Sequence, residues 1–311
     1  MNKIKCPICL NKNILKISEY VNISSVYSNM NLCKCSNCHM VFVDPFPSDK
    51  ALKDYNDTYF DSAHGGHSLA KETIAVFKGL ASLRGVYLNN FLSKKNIKSE
   101  RILEIGPGPG YFAENWKKNY VNKHYYAIET DESCYSELIK FGVKLIKEKD
   151  YNKYIGTMDV VVISHVLEHV SNPKGFLSFA NSFLKKGGAL FIEIPCNDFQ
   201  HKKIMEPHLL FFDKKPLTLL LEKINFKEIE INYYGKKISQ LKNESFLKMK
   251  LKSLVNKIIL KLRAYKFLKL EEADLKYIKS KYVRYAVKSY NAHLESDEPT
   301  WWLRSLSIKH K

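Results

Sequence analysis

The chain has 311 residues, 45% of them apolar and 13% aromatic, which is enough to bury a sizeable core in one large domain with attachments. No apolar run reaches the roughly 18 residues of a membrane span, and the opening MNKIKCPICL has neither a long apolar core nor a small-residue cleavage site, so a cytoplasmic protein is expected. The formal charge of +18 points to nucleic acid, an anionic membrane face or an acidic substrate, but nineteen Lys/Arg against seven Asp/Glu follow Gly235, so the excess is regional.

In chain order, residues 1–47 hold five of the seven cysteines. Cys6-x-x-Cys9 and Cys35-x-x-Cys38 each place two thiolates on a tight turn, and together they make a tetrahedral Zn²⁺ site with no vacant position. The β-branched stretches between and after them read as short strands, so a zinc ribbon with a structural ion is expected, with Cys33 as the spare. Residues 48–100 read as a helical linker or lid: Leu52, Tyr55 and Tyr59 share helical spacing, AHGGHS is a turn, and LAKETIAVFKGLASLRGVYLNNFLSKKN is one long helix.

Over 101–235 apolar strands alternate with amphipathic helices: RILEIG, HYYAIET, VKLIKE, MDVVVISHV and ALFIEIP are strands, with helices between them. Strands apolar throughout and joined by helices indicate an α/β fold with a parallel sheet covered on both faces. Residues 236–311 read as a basic helical extension. Leu247, Leu251, Leu254, Ile258 and Leu262 form an apolar stripe among lysines, suited to a domain cap, a dimer contact or a membrane surface.

ILEIGPGPGYF leaves the first of these strands and enters a helix, where open parallel sheets bind ligands. Gly106, Gly108 and Gly110 clear side chains from the backbone, and Pro107 and Pro109 stiffen the turn. The third glycine comes one place earlier than in a G-x-G-x-x-G pyrophosphate loop, Tyr111 taking its position, and Glu104 would repel a phosphate but attract a cation. Glu129, beside Thr130, ends the second strand where a carboxylate accepts both ribose hydroxyls. Asp150, or failing it Glu148, follows the third strand where an adenine amino group would be read. A ligand with a cationic centre, a ribose and an adenine but no phosphate is S-adenosylmethionine.

LEIGPGPG, AIETD, DVVVISHVLEHV, FLKKGGALFIEIP and HLLFF together resemble a class I S-adenosylmethionine-dependent methyltransferase. The resemblance implies a Rossmann-like, seven-stranded, mainly parallel sheet and direct displacement of the sulfonium methyl by the acceptor. The paired Cys-x-x-Cys motifs, DPFP at 44–47 and Tyr55-x3-Tyr59 are similar to a subgroup encoded with surface-polysaccharide and sugar-modifying enzymes. His165, Glu168 and His169 lie just past the fourth strand at i, i+3 and i+4. The similar stretch of ubiquinone-type O-methyltransferases has Glu in place of His165, and its trio holds a divalent cation. Here the three are either ligands or a turn cap, with His165 at the cofactor edge.

A hydroxyl acceptor needs a base, for which His165, His169 and His208 are the candidates, while Asn197 and Glu206 are placed to touch the acceptor. The leading expectation is methyl transfer to an oxygen or carbon of a sugar or related small polar acceptor, carried on a nucleotide or lipid, with peripheral contact of the basic C-terminal helices with the inner membrane face. The rivals are an RNA base methyltransferase, disfavoured because the charge lies away from the ribbon, and a non-catalytic scaffold of the same fold.

Overall fold

The four cysteines shape the N-terminal unit. Leu10 and His39, each one residue past a cysteine pair, take left-handed backbone (φ 64° and 65°). They close tight turns in which their N–H groups donate to Cys6 O and Cys35 O, at 3.0 and 3.1 Å. The computed structural model describes residues 4–59, 69–120, 124–243, 246–269, 275–276, 278–288 and 290–310, so the expected AHGGHS turn lies outside the described residues.

Strands β1 (Ile14–Glu19), β2 (Asn31–Cys35) and β3 (Val41–Asp44) form the antiparallel meander of the ribbon. A fourth strand comes from far along the chain: β9 (Leu210–Phe211) pairs with β3, Val41 opposite Phe211 and Phe42 opposite Leu210. The ribbon is therefore stitched into the larger domain and shares its core. Val41, Phe42 and Val43 are buried in one apolar cluster with Leu209, Phe211 and Ile163.

Ser48 starts the helix Asp49–Asn56, its side chain accepting from Ala51 N at 3.2 Å. Leu52 of that helix is buried, and Tyr55 meets Tyr27 of the ribbon edge to face at 5.3 Å. The expected long helix runs over Lys71–Lys94.

The main sheet contains β4 (Arg101–Ile105), β5 (His124–Ile128), β6 (Lys144–Leu145), β7 (Met158–Ser164), β8 (Leu184–Pro195), β10 (Phe226–Lys237), β11 (Glu295–Ser296) and β12 (Thr300–Lys309). Among the described residues its order is β11-β10-β12-β8-β7-β4-β5-β6. Strands β8, β7, β4, β5 and β6 are parallel, and β12 runs antiparallel between β8 and β10. Chain order reverses at β4, with β5 on one side and β7 on the other, so the switch point falls at the end of the strand that carries the glycine loop. The parallel strands are buried on both faces: MDVVVI of β7 has no exposed residue. The α/β class and mainly parallel sheet match the expectation, with the two-residue β11 added at one edge.

The C-terminal region departs from the expected wholly helical extension. It does contain helices, Ile238–Lys242, Phe246–Lys261 and Lys281–Lys288. Residues Thr300–Lys309, however, are the strand inserted between β8 and β10, so the last part of the chain completes the sheet. The sequence TWWLRSLSIK hides this because Arg304, Ser305 and Ser307 stand where a buried strand would carry apolar side chains, and all three are buried. No helix among the described residues is long and apolar enough to cross a membrane.

Candidate active site

A cavity of about 1090 Å³ opens at the ends of β4, β5, β7 and β8. Its volume exceeds the roughly 300–1,000 Å³ usual for a single small molecule, so it has room for a cofactor and an acceptor together.

The glycine loop lines one side. Gly106, Gly108 and Gly110 all have positive φ (69°, 54° and 77°). A Cβ on Gly106 would stand 2.5 Å from Val166 Cγ2, whereas one on Gly108 would meet nothing within 4 Å. Bare backbone at Gly108 thus faces open space, the cradle that a flat ligand needs. Pro107 and Tyr111 share the cavity wall, but Gly110 does not. Its glycine is required for packing, since a Cβ there would stand 2.7 Å from Leu138 Cδ2.

Both expected acids of this half line the cavity. Glu104 is buried, accepts a 2.7 Å hydrogen bond from Tyr125 OH, and is pushed by burial up to about pH 7 in its titration. Glu129 accepts from the backbone N–H groups of Gly108 (2.8 Å), Thr130 (2.7 Å) and Asp131 (2.9 Å). Those donors fix its carboxylate beside the loop. Thr130 is in the wall as expected. Asp150 is not: it sits in a 3₁₀ turn, Glu148–Tyr154, and pairs with Lys153 at 2.5 Å, while Tyr151 takes its place in the cavity wall. The third strand is only two residues long, and the turn that follows it aims Asp150 outward.

Two buried carboxylate networks build the other half. Glu193, fully buried on β8, meets Arg84 at 2.5 Å, Arg304 at 2.6 Å and His165 at 3.3 Å. Burial alone would raise its pKa, but the two guanidinium groups and His165 hold it well below the usual carboxylate range. One side chain therefore ties the long helix, β12 and the residue after β7 to β8. Burial opposes charge on His165, yet Glu168 and Glu193, each 3.3 Å from one ring nitrogen, raise its pKa. Both ring nitrogens of His165 thus face carboxylates rather than a methyl acceptor.

Asp198 and His208 form the second network, Asp198 Oδ2 lying 2.7 Å from His208 Nδ1 and 2.8 Å from Lys202 Nζ. Burial would raise Asp198, but His208 and Lys202 hold it well below its usual range. An ionised carboxylate only accepts, so Nδ1 carries the ring proton and the Nε2 lone pair is left for another partner. His208 lines the cavity, and its backbone O accepts from Tyr20 OH of the ribbon at 2.9 Å.

His169 is kept neutral, pushed by burial down to about 3, and no carboxylate orients it as Asp198 orients His208. Among the described residues its Nδ1 and both Glu168 oxygens make no well-directed hydrogen bond, the 3.3 Å approach of His165 Nδ1 to Glu168 Oε1 being an ion-pair contact only. One ligating atom from each of Glu168, His169 and His208 lies within 4.8 Å of the others, a donor set that suits a divalent cation. His208 thus takes the place of His165 in the expected trio, but with Nδ1 held by Asp198 a cation would occupy the same Nε2 that proton removal needs, so the two roles exclude each other.

Glu206 lines the cavity, but it is occupied in accepting from Ile23 N and Ser24 N, both at 2.9 Å, which clamps the ribbon to the rim. Asn197 bonds Asp213 at 2.8 Å and is absent from the wall. In the ribbon, Sγ of Cys6 and Cys38 and of Cys9 and Cys35 are 3.4 Å apart, and all four sulfurs lie within 4.8 Å of one another. A tetrahedral ion with Zn–S bonds of about 2.3 Å sets sulfurs at about 3.8 Å, so the set fits such an ion. Cys33 is left out, as expected.

Sequence reading missed Arg84, Glu193, Asp198 and Arg304. The one available signal was Asp198, four residues before Lys202 and just past a strand that ends at the cavity.

A sheet of this order, with an acid-flanked glycine loop at its switch point, is the arrangement expected of an S-adenosylmethionine-dependent methyltransferase. Residues 86–231, just under half of the chain, match the model of a family described as a methyltransferase domain. Among curated proteins it is similar to an uncharacterized protein of Methanocaldococcus jannaschii, 28% identical over 148 residues, covering 44% of this chain and 69% of that one. It is also similar to the ubiquinone biosynthesis O-methyltransferase of Marinobacter nauticus, 26% identical over 127 residues, covering 37% of this chain and 52% of that one. The match thus spans about half the length of that enzyme. A solved SAM-dependent methyltransferase of Thermotoga maritima, titled a possible histamine N-methyltransferase, superposes with a TM-score of 0.47 at 18% identity, over 76% of this chain and 91% of that one.

Because Glu104 ionises near pH 7, its attraction for a cationic cofactor is switched on as pH rises through that value. Affinity for S-adenosylmethionine, measured by calorimetry from pH 5 to 8, is expected to tighten as pH rises toward about 7 and to level off above it, the full gain being roughly tenfold for each pKa unit by which the bound cation lowers Glu104. In Glu104→Gln this step should vanish and binding should be weaker throughout. A step that persists in the variant would assign it to another group.

Proposed function

We propose that the chain methylates a hydroxyl of a sugar or related small polar acceptor, carried on a nucleotide or a lipid, in surface-polysaccharide synthesis. The observation that carries this reading is the Asp198–His208 pair, 2.7 Å apart, in the wall of the same cavity that the glycine loop lines. A carboxylate-oriented imidazole is a group suited to remove a proton from an alcohol near neutral pH.

Glu104, Glu129, Thr130 and the backbone at Gly106 and Gly108 would hold S-adenosylmethionine, with Glu129 accepting from the ribose. Bound there, the cofactor supplies a methyl group on a sulfonium centre. The protein's own contribution is mostly positioning. His208 Nε2 takes the hydroxyl proton, Asp198 stabilises the imidazolium that forms, and Lys202 keeps Asp198 ionised. His165 lies at the cofactor edge, with its two ring nitrogens turned to Glu168 and Glu193. Tyr55, Tyr59 and Trp301 give the remaining wall aromatic surface suited to one face of a sugar ring.

An RNA acceptor is less well served. The cavity's two permanent cations, Arg84 and Lys202, are already paired with Glu193 and Asp198, which leaves neither for phosphate.

Labelled S-adenosylmethionine incubated with a panel of nucleotide sugars, lipid-linked glycans and RNA should label a sugar-bearing acceptor. His208→Gln should then lower kcat by roughly 10²–10³-fold while leaving cofactor affinity near the native value. Label in RNA alone, or full turnover by the variant, would contradict the proposal.

The four ribbon thiolates are assigned to one structural Zn²⁺. Titrating them with a mercurial reagent should release one zinc per chain and lower the melting temperature, because the ion's binding energy is folding energy for the ribbon. A purified chain with no metal, and a melting temperature indifferent to chelator, would remove the assignment.

A further inference from the structure

Among the described side chains, helix Phe246–Lys261 meets the rest of the protein through one side. Asn256 Oδ1 accepts from Tyr285 OH at 2.7 Å, and Leu260 is buried. Tyr285 belongs to the helix Lys281–Lys288, which packs so closely on the long helix that a Cβ on Gly79 would stand 2.7 Å from Val287 Cβ. The segment is therefore docked through its inner face.

The outer face is apolar. Leu251, Leu254, Val255, Ile258 and Leu262 are 44–72% exposed. Their spacing of three, one, three and four residues, at about 100° per residue, confines them to a single stripe about 100° wide. Leu262 N still donates to Ile258 O at 2.8 Å, so the stripe runs off the helix end unbroken. Phe267, 90% exposed, and Leu268 follow in the turn after the helix. An amphipathic helix on a globular protein normally turns such a stripe to the core, and this one turns it to solvent. A contiguous exposed apolar strip with a polar rim marks an interaction surface.

The charge of the segment selects the occupant. From Phe246 to Lys269 there are seven Lys and one Arg and no Asp or Glu. Exposed Lys257, Lys261, Arg263, Lys266 and Lys269 surround the apolar residues. A second copy would bring two such cationic faces together. A nucleic acid would satisfy the lysines and leave the leucines in water. An anionic bilayer satisfies both, with the apolar side chains at the acyl boundary and the lysines among the phosphates.

We infer that the outward face of Phe246–Lys261, continued through Lys269, is a docking surface for an anionic lipid membrane, on which the protein lies without spanning it. The inference does not rest on the acceptor's identity, and its test reads no methyl transfer, so the two can fail separately.

The full-length protein is floated with vesicles of phosphatidylcholine alone and of phosphatidylcholine with phosphatidylglycerol, at low and high salt. It should rise with the anionic vesicles, stay behind with the neutral ones, and be released partly by salt. Leu254→Lys with Ile258→Lys adds charge and removes apolar surface; partitioning should fall about tenfold or more, with the circular dichroism spectrum and cofactor affinity unchanged. No flotation with anionic vesicles, undiminished flotation of the double variant, or a wild-type dimer in light scattering that the double variant dissolves would each overturn the inference.

Discussion

The pairing of β3 with β9 is the contact on which the acceptor half of the cavity depends. Two residues of β9 complete the ribbon's sheet, and the loop before them carries His208. The ribbon also holds that loop through Tyr20 OH to His208 O, Met205 N to Val21 O, Val43 N to Leu209 O, and Glu206 to Ile23 and Ser24. A small, cysteine-bound unit therefore acts as a jig. It fixes the proposed base against the parallel sheet, whose strand ends carry the glycine loop. A metal with a closed set of four sulfurs would do no chemistry in such an arrangement, yet the geometry of proton removal would still rest on it.

The second constraint is electrostatic. Glu193, Glu168, Glu104 and Asp198 are buried around one cavity, and burying an ion is costly unless it is paired. Glu193 and Asp198 are compensated by Arg84, Arg304 and Lys202. Among the described residues Glu104 has Tyr125 OH as its one direct hydrogen-bond donor and is correspondingly hard to ionise. The compensated acids hold the framework and orient histidines. Glu104 stands beside the glycine loop, where a cationic ligand would supply the missing charge.

Much of this was legible in the sequence where local spacing carries the information. Two Cys-x-x-Cys pairs, strands apolar throughout, and a glycine loop two residues past Glu104 are each readable within ten residues or so. What escaped was assembled across distance. Arg84, Glu193 and Arg304 come from a helix and two strands, and nothing local to any of them announces the others. The strand Thr300–Lys309 was obscured by its buried arginine and serines, which make sense only once Glu193 is in place. Asp150 failed because a two-residue strand followed by a 3₁₀ turn shifts its direction. Gly110 is needed by Leu138, not by a ligand. The apolar stripe of the C-terminal helix was visible in sequence, but only the structure shows that it faces outward.

The central claim is that the glycine loop and the Glu129 carboxylate beside it form the cofactor seat. Calorimetric titration of S-adenosylhomocysteine into the wild-type protein and into Glu129→Ala tests it most directly. The account predicts saturable binding, one ligand per chain, that the substitution weakens by an order of magnitude or more through loss of a charged hydrogen-bond acceptor. Absent binding in the intact wild-type protein, or equal affinity in the variant, would contradict it.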